Sequence, residues 1–235
     1  MGATKIDRAR VADTALRLLN EVGLEGLTLR AIARELDVKA PALYWHFKDK
    51  QALLDEMATE MLRRMAAETA GPAPEDWRRG LADAMSALRS HLLRYRDGAK
   101  VYSGTHYTDT SYAEPMERHL RMLVDGGFTP GTAARAWFTA YSYTIGYVIE
   151  EQAMGPDPSA LPSGAEAAAN PPADPAPYDL GARATRLAGH PLAVAAGEEL
   201  FTRHDPGFRA GLAAVVEGIA ATLHPDGAKR GESGP

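Results

Sequence analysis

The sequence predicts an all-α fold, and three observations support it. Apolar residues recur at intervals of three and four along most of the 235 residues, which is the period of an amphipathic helix. No stretch of any length alternates strictly between apolar and polar residues, as a half-buried strand does. No internal repeat is present, and glycine or proline separates the helical stretches. We therefore expect a helical chain that is long enough to bury a sizeable core.

The first fifty residues predict three helices. The helical pattern over 7–22 stops at Gly23, and glycine is the residue that most often follows the C-terminal end of a helix. Thr28 is placed to cap a helix at 29–36, and Pro41 suits the first turn of a third helix. The third helix is too short to be stable alone, so tertiary contacts must hold it. The second and third helices form a helix-turn-helix candidate. The apolar set expected to hold it is Ala15, Leu19, Ile32, Leu36, Val38 and Leu43.

A longer helix is expected to follow the first three. Asp49 is placed to cap it, and its apolar pattern continues to about residue 67. A Gly-Pro-Ala-Pro break at 71–74 ends this part of the chain, and the segment 101–113 is polar and loop-like. Further helices are expected at 75–95, 116–124 and 132–152.

The last third of the chain changes character at 155–178. This segment holds seven of the sixteen prolines, and we predict a mobile loop there. A helix is expected near 182–200, and Asp205-Pro206 should begin a last helix that ends near residue 223. The tail 225–235 is expected to be disordered. The last helix carries an apolar seam that could face either a partner chain or its own core: Phe208, Leu212, Val215 and Ile219.

Composition and charge exclude several classes of protein. The chain has no cysteine, which excludes a disulfide scaffold, cysteine-ligated zinc and thiol catalysis. The formal net charge is −5, but residues 1–50 carry nine basic and seven acidic side chains, so their share is +2. This asymmetry fits a nucleic-acid-binding module on an acidic body. Without a signal peptide or a membrane-length apolar run, the chain is expected in the cytoplasm, with no membrane partner.

The third helix carries side chains that favour DNA binding. Lysine ammonium groups and a tyrosine hydroxyl suit phosphate oxygens, and arginine can bind guanine through two hydrogen bonds. Spacing alone leaves open the alternative of a small surface helix with ordinary solvated lysines. The candidate residues are Arg30, Lys39, Tyr44, His46, Lys48 and Lys50.

Several longer stretches resemble a known family. The chain reads LNEVGLEGLT at 19–28, APALYWHFKDK at 40–50 and ALLD at 52–55. These residues resemble the TetR family, and specifically its tetracycline repressor branch. The body carries the same resemblance in LLRYRDGAKV and in IGYVIEEQ. It spans roughly residues 6–152 and returns loosely over the last helix.

The resemblance implies a homodimeric repressor with a TetR-like architecture. Residues 1–50 would form the helix-turn-helix domain, a helix at about 49–67 would connect it, and residues 51–224 would form the ligand-binding and dimerisation domain. Two heads would read successive major grooves of a palindromic operator. The helices at about 132–152 and 206–223 of both protomers would form a four-helix bundle.

The family's DNA-contacting roles carry over to the first domain. Arg30 takes the base-reading role. Ala40 stands where the branch has a glutamine, and because alanine can only touch a thymine methyl, the preferred operator should differ at that step. Thr28, Tyr44 and Lys50 take phosphate-contacting roles, and His46 and Lys48 lie beside them. Pro41 matches an apolar contact of the recognition helix.

The ligand site of this branch holds a tetracycline–magnesium pair, and here its chemistry differs. Thr105 keeps the position of the branch's threonine, and Glu150 keeps that of a glutamate that acts from the other protomer. Tyr102 replaces the metal-binding histidine. A neutral phenol is a poor ligand for Mg²⁺, so we expect no metal and no cofactor. His106 beside Glu150 is a weak alternative metal site.

The changed pocket favours an aromatic, largely planar effector, such as an antibiotic or a polyketide intermediate. Each aromatic residue could equally be ordinary core. The residues expected at the ligand are Leu88, Tyr102, Thr105, His106, Tyr107, Met116, His119, Trp137, Phe138, Tyr141, Ser142 and Glu150.

Two other classes of function were weighed. An enzyme is disfavoured because the chain lacks a phosphate-binding glycine loop, a serine nucleophile elbow and a HExxH helix, so we expect no catalytic residue. A DNA-binding regulator that activates, or that does not respond to a ligand, stays open.

Overall fold

The computed structural model describes residues 7–71, 74–154 and 179–225, and these residues form eleven helices and no strand. The all-α prediction is confirmed. The predicted loop at 155–178 and the tail after residue 225 lie outside the described residues. No helix in the described ranges is long and apolar enough to cross a membrane. The helices are α1 (Arg8–Gly26), α2 (Leu29–Glu35), α3 (Ala40–Tyr44), α4 (Lys50–Glu68), α5 (Trp77–Leu92), α6 (Gly98–Tyr102), α7 (Ala113–Asp125), α8 (Pro130–Ala153), α9 (Leu180–Arg186), α10 (Pro191–Thr202) and α11 (His204–Thr222).

Helices α1 to α3 form the head. The side chains of Asp7 and Thr28 accept hydrogen bonds from backbone N–H groups of the first turns of α1 and α2, which caps both helices. Gly23 does not end α1 as predicted. Its φ of 69° kinks the helix, which continues to Gly26, because glycine adopts this left-handed conformation without steric cost. The short α3 is held by fully buried residues of the predicted set: Ala15, Leu19, Ile32 and Leu43.

Helix α4 connects the head to the body. The side chain of Asp49 caps it by accepting a hydrogen bond from the backbone N–H of Ala52. Met57 and Met61 are fully buried along it. It packs against α1 in the head and against α6 in the body. A displacement in the body can therefore reach the head through a single helix.

Helix α8 is the central element of the body. A capping box between Thr129 and Thr132 begins it, with Pro130 in its first turn. Helices α5, α7 and α11 pack against it. Fully buried alanines lie along its inner side, and small side chains let neighbouring helices approach closely.

Three details of the body differ from the sequence prediction. The expected helix at 182–200 is two helices, because α10 begins anew at Pro191. Helix α11 begins one residue before the Asp205-Pro206 pair, and Pro206 is tolerated because backbone N–H groups of a first turn have no partner within the helix. The short α6 was not expected, and its last two residues belong to the segment 101–113 that was predicted to be loop-like.

The apolar seam of α11 faces its own chain. Phe208, Leu212 and Ile219 are each at most 3% exposed. The hydroxyl groups of Tyr143 and Tyr147 donate hydrogen bonds to carbonyl oxygens of α11 at 3.0 and 2.8 Å. Of the two alternatives for the seam, its own core is therefore the one observed. The opposite side of α11 exposes small residues: Ala210, Ala213, Ala214 and Gly218.

Candidate functional site

The outer side of α2 and α3 exposes both cationic and aromatic groups. Arg30 and Pro41 are exposed, and Ala40 is half-buried. Tyr44 is 53% exposed, and Trp45, which the sequence analysis did not select, is 90% exposed. A tryptophan this exposed forfeits the large free energy that burial of its ring provides, which points to a partner surface. The sequence did contain one indication that Trp45 meets DNA, since it lies between the predicted DNA-binding residues Tyr44 and His46.

The other predicted DNA-binding residues differ in how freely they can move. Lys39 and Lys48 are exposed. The ammonium group of Lys50 donates a hydrogen bond to the carbonyl oxygen of Leu24 at 2.8 Å, so a phosphate would compete with the end of α1 for it. His46 is half-buried. The hydroxyl of Thr28 accepts a hydrogen bond at 3.1 Å from the first turn of α2.

A cavity of about 730 Å³ lies in the body among α4, α5, α6, α7 and α8. We call it the body cavity. Among the described residues, its lining includes no Asp, Glu, Lys or Arg. A cavity of this size suits a drug-sized molecule. Ten of the predicted ligand residues line it: Leu88, Tyr102, Thr105, Tyr107, Met116, His119, Trp137, Phe138, Tyr141 and Ser142.

Pairs of aromatic rings form much of the cavity wall. The His119 and Trp137 rings stack with centroids 4.3 Å apart and an interplanar angle of 20°. The Tyr107 ring stacks on Tyr112 at 5.4 Å and contacts the edge of Tyr102 at 6.1 Å. These flat surfaces can sandwich or flank another planar ring system.

Burial keeps the titratable groups of the cavity neutral. Desolvation, followed by the neighbouring Tyr107, raises the pKa of Tyr102 well above its usual value. Burial also raises the pKa of Tyr141 to about 12. Burial first, and then the charge of Arg118, lowers the pKa of His119 to about 4. At neutral pH the described lining of the cavity therefore offers neutral hydrogen-bonding groups and no ionised side chain.

Two predicted ligand residues do not reach the body cavity of their own chain. His106 lies on the far side of the loop 103–112, where its backbone N–H donates a hydrogen bond to Asp55 Oδ1 at 3.4 Å and the residue lines a separate charged cleft. Glu150 is exposed on α8 and is absent from the cavity lining. The predicted placement of His106 is corrected, because the turn of the loop directs it to the charged cleft. The resemblance assigns Glu150 to the site of the other protomer, so its exposed position on its own chain leaves that prediction standing.

Other lining residues were missed because only the crossing of helices brings them together. Tyr112 ends the loop that the sequence marked as polar. Met65 on α4 and Ile149 on α8 belong to predicted apolar helical stripes, which gave a signal for burial but none for a ligand. Among the described residues there is no group of three or more His, Cys, Asp or Glu side chains placed to hold a metal ion.

Two family profiles match the chain. The profile described as "Bacterial regulatory proteins, tetR family" matches residues 11–57, which cover most of α1, all of α2 and α3 and the start of α4. The profile described as "Tetracyclin repressor-like, C-terminal domain" matches residues 71–223, more than half of the chain. The chain belongs to the TetR family. Members of the TetR family are transcriptional regulators, so the prediction that the chain is no enzyme is confirmed together with the predicted family.

Individual proteins agree with the assignment to the TetR family. The chain is 43% identical over 154 residues to the tetracycline repressor protein class A from transposon 1721 of Escherichia coli, which covers 66% of this chain and 71% of that protein. A possible TetR family transcriptional regulator from Streptomyces coelicolor A3(2) has a TM-score of 0.71 and 36% identity, with 92% and 99% of the two chains covered. TetR (class A) in complex with 5a,6-anhydrotetracycline and magnesium has a TM-score of 0.57 and 33% identity, covering 90% and 96%.

Proposed function

We propose that this TetR-family regulator is a homodimeric repressor that binds a palindromic operator and is released from it by a small aromatic molecule. The observation that carries the proposal is the body cavity, which is about 730 Å³ in volume, aromatic-walled and free of ionised side chains in its described lining. Helix α4 contacts both the head and the body. Release then requires that the effector bind one arrangement of the two heads more tightly than the other.

The exposed outer side of α2 and α3 supports the operator-binding part of the proposal. Arg30 would read a guanine through two hydrogen bonds, and Tyr44 and Lys48 would contact phosphates. Ala40 can contribute only an apolar contact. The operator should therefore differ, at the base pair that this position contacts, from an operator that a glutamine reads. We add Trp45 to the surface that meets DNA, because its side chain is 90% exposed beside these residues.

The outward sides of α8 and α11 support dimerisation. Small exposed residues lie on both helices, including Gly146 on α8 and Gly218 on α11, where an added Cβ would meet open space. Such surfaces allow helices to pack at short interaxial distances in a four-helix bundle. Ser142 and Phe138 are exposed on α8 and also line the body cavity. A second protomer would therefore close one side of each cavity, and the exposed Glu150 would face that junction.

The body cavity favours an uncharged effector that needs no metal. Burying an ionised group without an opposite charge costs several kcal/mol, roughly, and the described lining supplies no such charge. Tyr102 is buried with a raised pKa, so its phenol stays protonated and binds Mg²⁺ poorly. The phenol, hydroxyl and imidazole groups can instead exchange neutral hydrogen bonds with carbonyl and hydroxyl groups of a planar polycyclic molecule.

Operator binding and dimerisation can be tested without the effector. Fluorescence anisotropy with DNA from the region upstream of the coding sequence should show specific, salt-dependent binding, because phosphate contacts release counterions. Light scattering on the eluting protein should give twice the monomer mass. A monomer, or binding that competitor DNA of unrelated sequence removes, would contradict this part of the proposal.

The effector can be sought by thermal shift with a panel of aromatic polyketides that includes anhydrotetracycline, with either EDTA or Mg²⁺ present. A specific binder raises the unfolding temperature by mass action, and we expect the rise to survive EDTA. Trp137→Ala should abolish the rise, whereas Leu192→Ala, at a position that is 86% exposed, should not. A response confined to magnesium-loaded tetracyclines would show that the cavity does not work as proposed.

A further inference from the structure

A second, charged cleft lies on the opposite side of the loop 103–112 from the body cavity. It measures about 750 Å³ and is lined by residues of α1, α4 and this loop. Tyr107 lines both spaces. The loop is therefore a thin partition between the proposed effector site and a group of charged side chains that extends to the head. We call these side chains the arginine–carboxylate chain: Arg8, Glu56, Arg63 and Asp109.

Glu56 on α4 stands at the centre of this chain. It is only 4% exposed, although an ionised carboxylate is expensive to bury alone. Arg8 Nε donates to Glu56 Oε2 at 2.7 Å, and Arg63 Nη1 donates to Glu56 Oε1 at 3.4 Å. Each oxygen of one buried carboxylate is thus engaged by a different guanidinium, one from the start of α1 and one from α4 itself.

On the head side, Arg8 holds the segment that follows α3. Its Nη1 donates a hydrogen bond to the carbonyl oxygen of His46 at 2.6 Å. Its guanidinium lies over the ring of Phe47 with its carbon atom 4.6 Å from the ring centroid, and Phe47 is fully buried. Two contacts from one side chain therefore fix the C-terminal end of α3, next to Tyr44 and the exposed Trp45.

On the body side, Arg63 holds the loop. Arg63 Nη2 donates to Asp109 Oδ2 at 2.5 Å, and this bond, with one from the backbone N–H of Ser111, lowers the pKa of Asp109 to about 2. The backbone N–H of Thr108 also donates to the hydroxyl of Thr59 at 3.0 Å. The neighbouring Tyr107 is the residue that stacks in the body cavity. A molecule that displaces this ring together with its backbone would strain the bonds of Thr108 and Asp109 to α4.

We propose that Glu56 is a positioning residue that couples the loop of the effector cavity to the end of α3, through Arg63 and Asp109 on one side and Arg8 and His46 on the other. The proposal deepens the proposed function and rests on it. Exposed ion pairs contribute little to stability, but this chain is centred on a buried carboxylate and bridges two parts of the molecule. Loss of the ion pair between Arg63 and Asp109 is therefore expected to alter the position of the end of α3.

The test is a double-mutant cycle between the two ends of the chain. Asp109→Asn removes the charge opposite Arg63 and keeps an acceptor for Ser111. We expect it to weaken operator binding about fivefold, the lower end of ordinary allosteric couplings, measured by fluorescence anisotropy on DNA from the upstream region. In a Glu56→Gln background, Asp109→Asn should change operator affinity by less than about twofold, because the connection between Arg63 and Arg8 through Glu56 is already broken.

A second readout does not depend on operator binding. Incorporation of 5-fluorotryptophan gives ¹⁹F resonances for Trp45, Trp77 and Trp137, and Trp45→Phe assigns the first. Asp109→Asn should shift the Trp45 resonance in the otherwise unchanged protein and leave it in place in the Glu56→Gln background. If the protein binds no operator but the Trp45 resonance responds in this way, the proposed function fails and the coupling stands.

Glu117→Gln is the matched control. Glu117 Oε1 lies 2.7 Å from Arg121 Nη2 in a similar ion pair on α7, which is not part of the arginine–carboxylate chain. It should change neither readout. Thermal unfolding checks that each variant is folded, and Arg63→Gln replaces Glu56→Gln as the background if that variant unfolds. Equal effects of Asp109→Asn in both backgrounds, or no effect of it in the unchanged protein, would overturn the proposal.

Discussion

The head and the body of this regulator offer opposite surfaces. The head exposes arginine, lysine, tyrosine and a tryptophan that is 90% exposed, all within a stretch of about two dozen residues. The body contains a cavity of about 730 Å³ whose described lining carries no ionised side chain and comes from five helices and the loop 103–112. DNA phosphates are long-range, strongly charged targets, whereas an enclosed effector must lose its water. The first fifty residues carry a net charge of +2 and the remaining residues carry −7, so the head is the part of the chain whose charge suits DNA phosphates.

The largest expected difference between the two regions is their tolerance of a new charge. Leu88→Asp places a carboxylate at a position of the cavity wall that is 4% exposed, and it should lower the free energy of unfolding by about 3 kcal/mol. Tyr44→Asp, on the exposed head surface, should change it by less than about 0.5 kcal/mol. Urea unfolding of both variants measures the contrast, and equal losses would refute it.

Removal of the base-reading side chain should give the next largest effect. Arg30→Ala is expected to weaken operator binding by about 1–3 kcal/mol and to relax the preference at one base pair, because a bidentate contact is lost. Arg79→Ala serves as the control, since Arg79 is an exposed arginine of the body whose side chain is 77% exposed. A gel-shift titration in which Arg30→Ala retains full affinity would remove this residue from the operator surface.

The pH dependence of stability should report the enclosed body rather than the head. The pKa of His119 is lowered to about 4 by burial, so between about pH 6.5 and 4 the unfolded chain binds more protons than the folded chain. Stability should therefore fall as the pH drops through this window, by up to about 1 kcal/mol per pH unit.

His119→Phe keeps a ring against Trp137 and removes the titration, so its thermal unfolding temperature should depend less steeply on pH. His91, whose pKa burial also lowers, contributes in the same direction and stays in both proteins. If the unfolding temperatures of the unchanged protein and of His119→Phe depend equally steeply on pH, the pKa of His119 is the same in the folded and unfolded chains.

The smallest expected effect is that of one phosphate contact. Tyr44→Phe removes a hydroxyl from a ring that stays exposed, and it should weaken operator binding by about 0.5 kcal/mol without changing stability. Anisotropy titrations on the preferred operator and on a single-base variant should show the same loss, since phosphates carry no sequence information. A loss confined to one sequence would mean that Tyr44 reads a base.

The head could be predicted more fully than the body cavity. Thr28, Pro41 and Asp49 act within a few residues of their own position, as caps and as a helix start, so their roles can be read locally. The cavity residues Met65 and Ile149 are 84 positions apart in sequence and meet only because α4 and α8 face the same space. For the same reason His106 was placed in the cavity and does not line it.

By itself, the sequence determined the all-α class, the helix-turn-helix head, the family and most aromatic residues of the cavity wall. These follow from helical period, capping residues and motifs, which depend on short separations along the chain. Tertiary structure alone decided that the seam of α11 packs on its own chain, that Trp45 is exposed and that Glu56 lies between two arginines. The reason is geometric: the side of a helix that becomes buried, and the charges that meet there, depend on how helices cross.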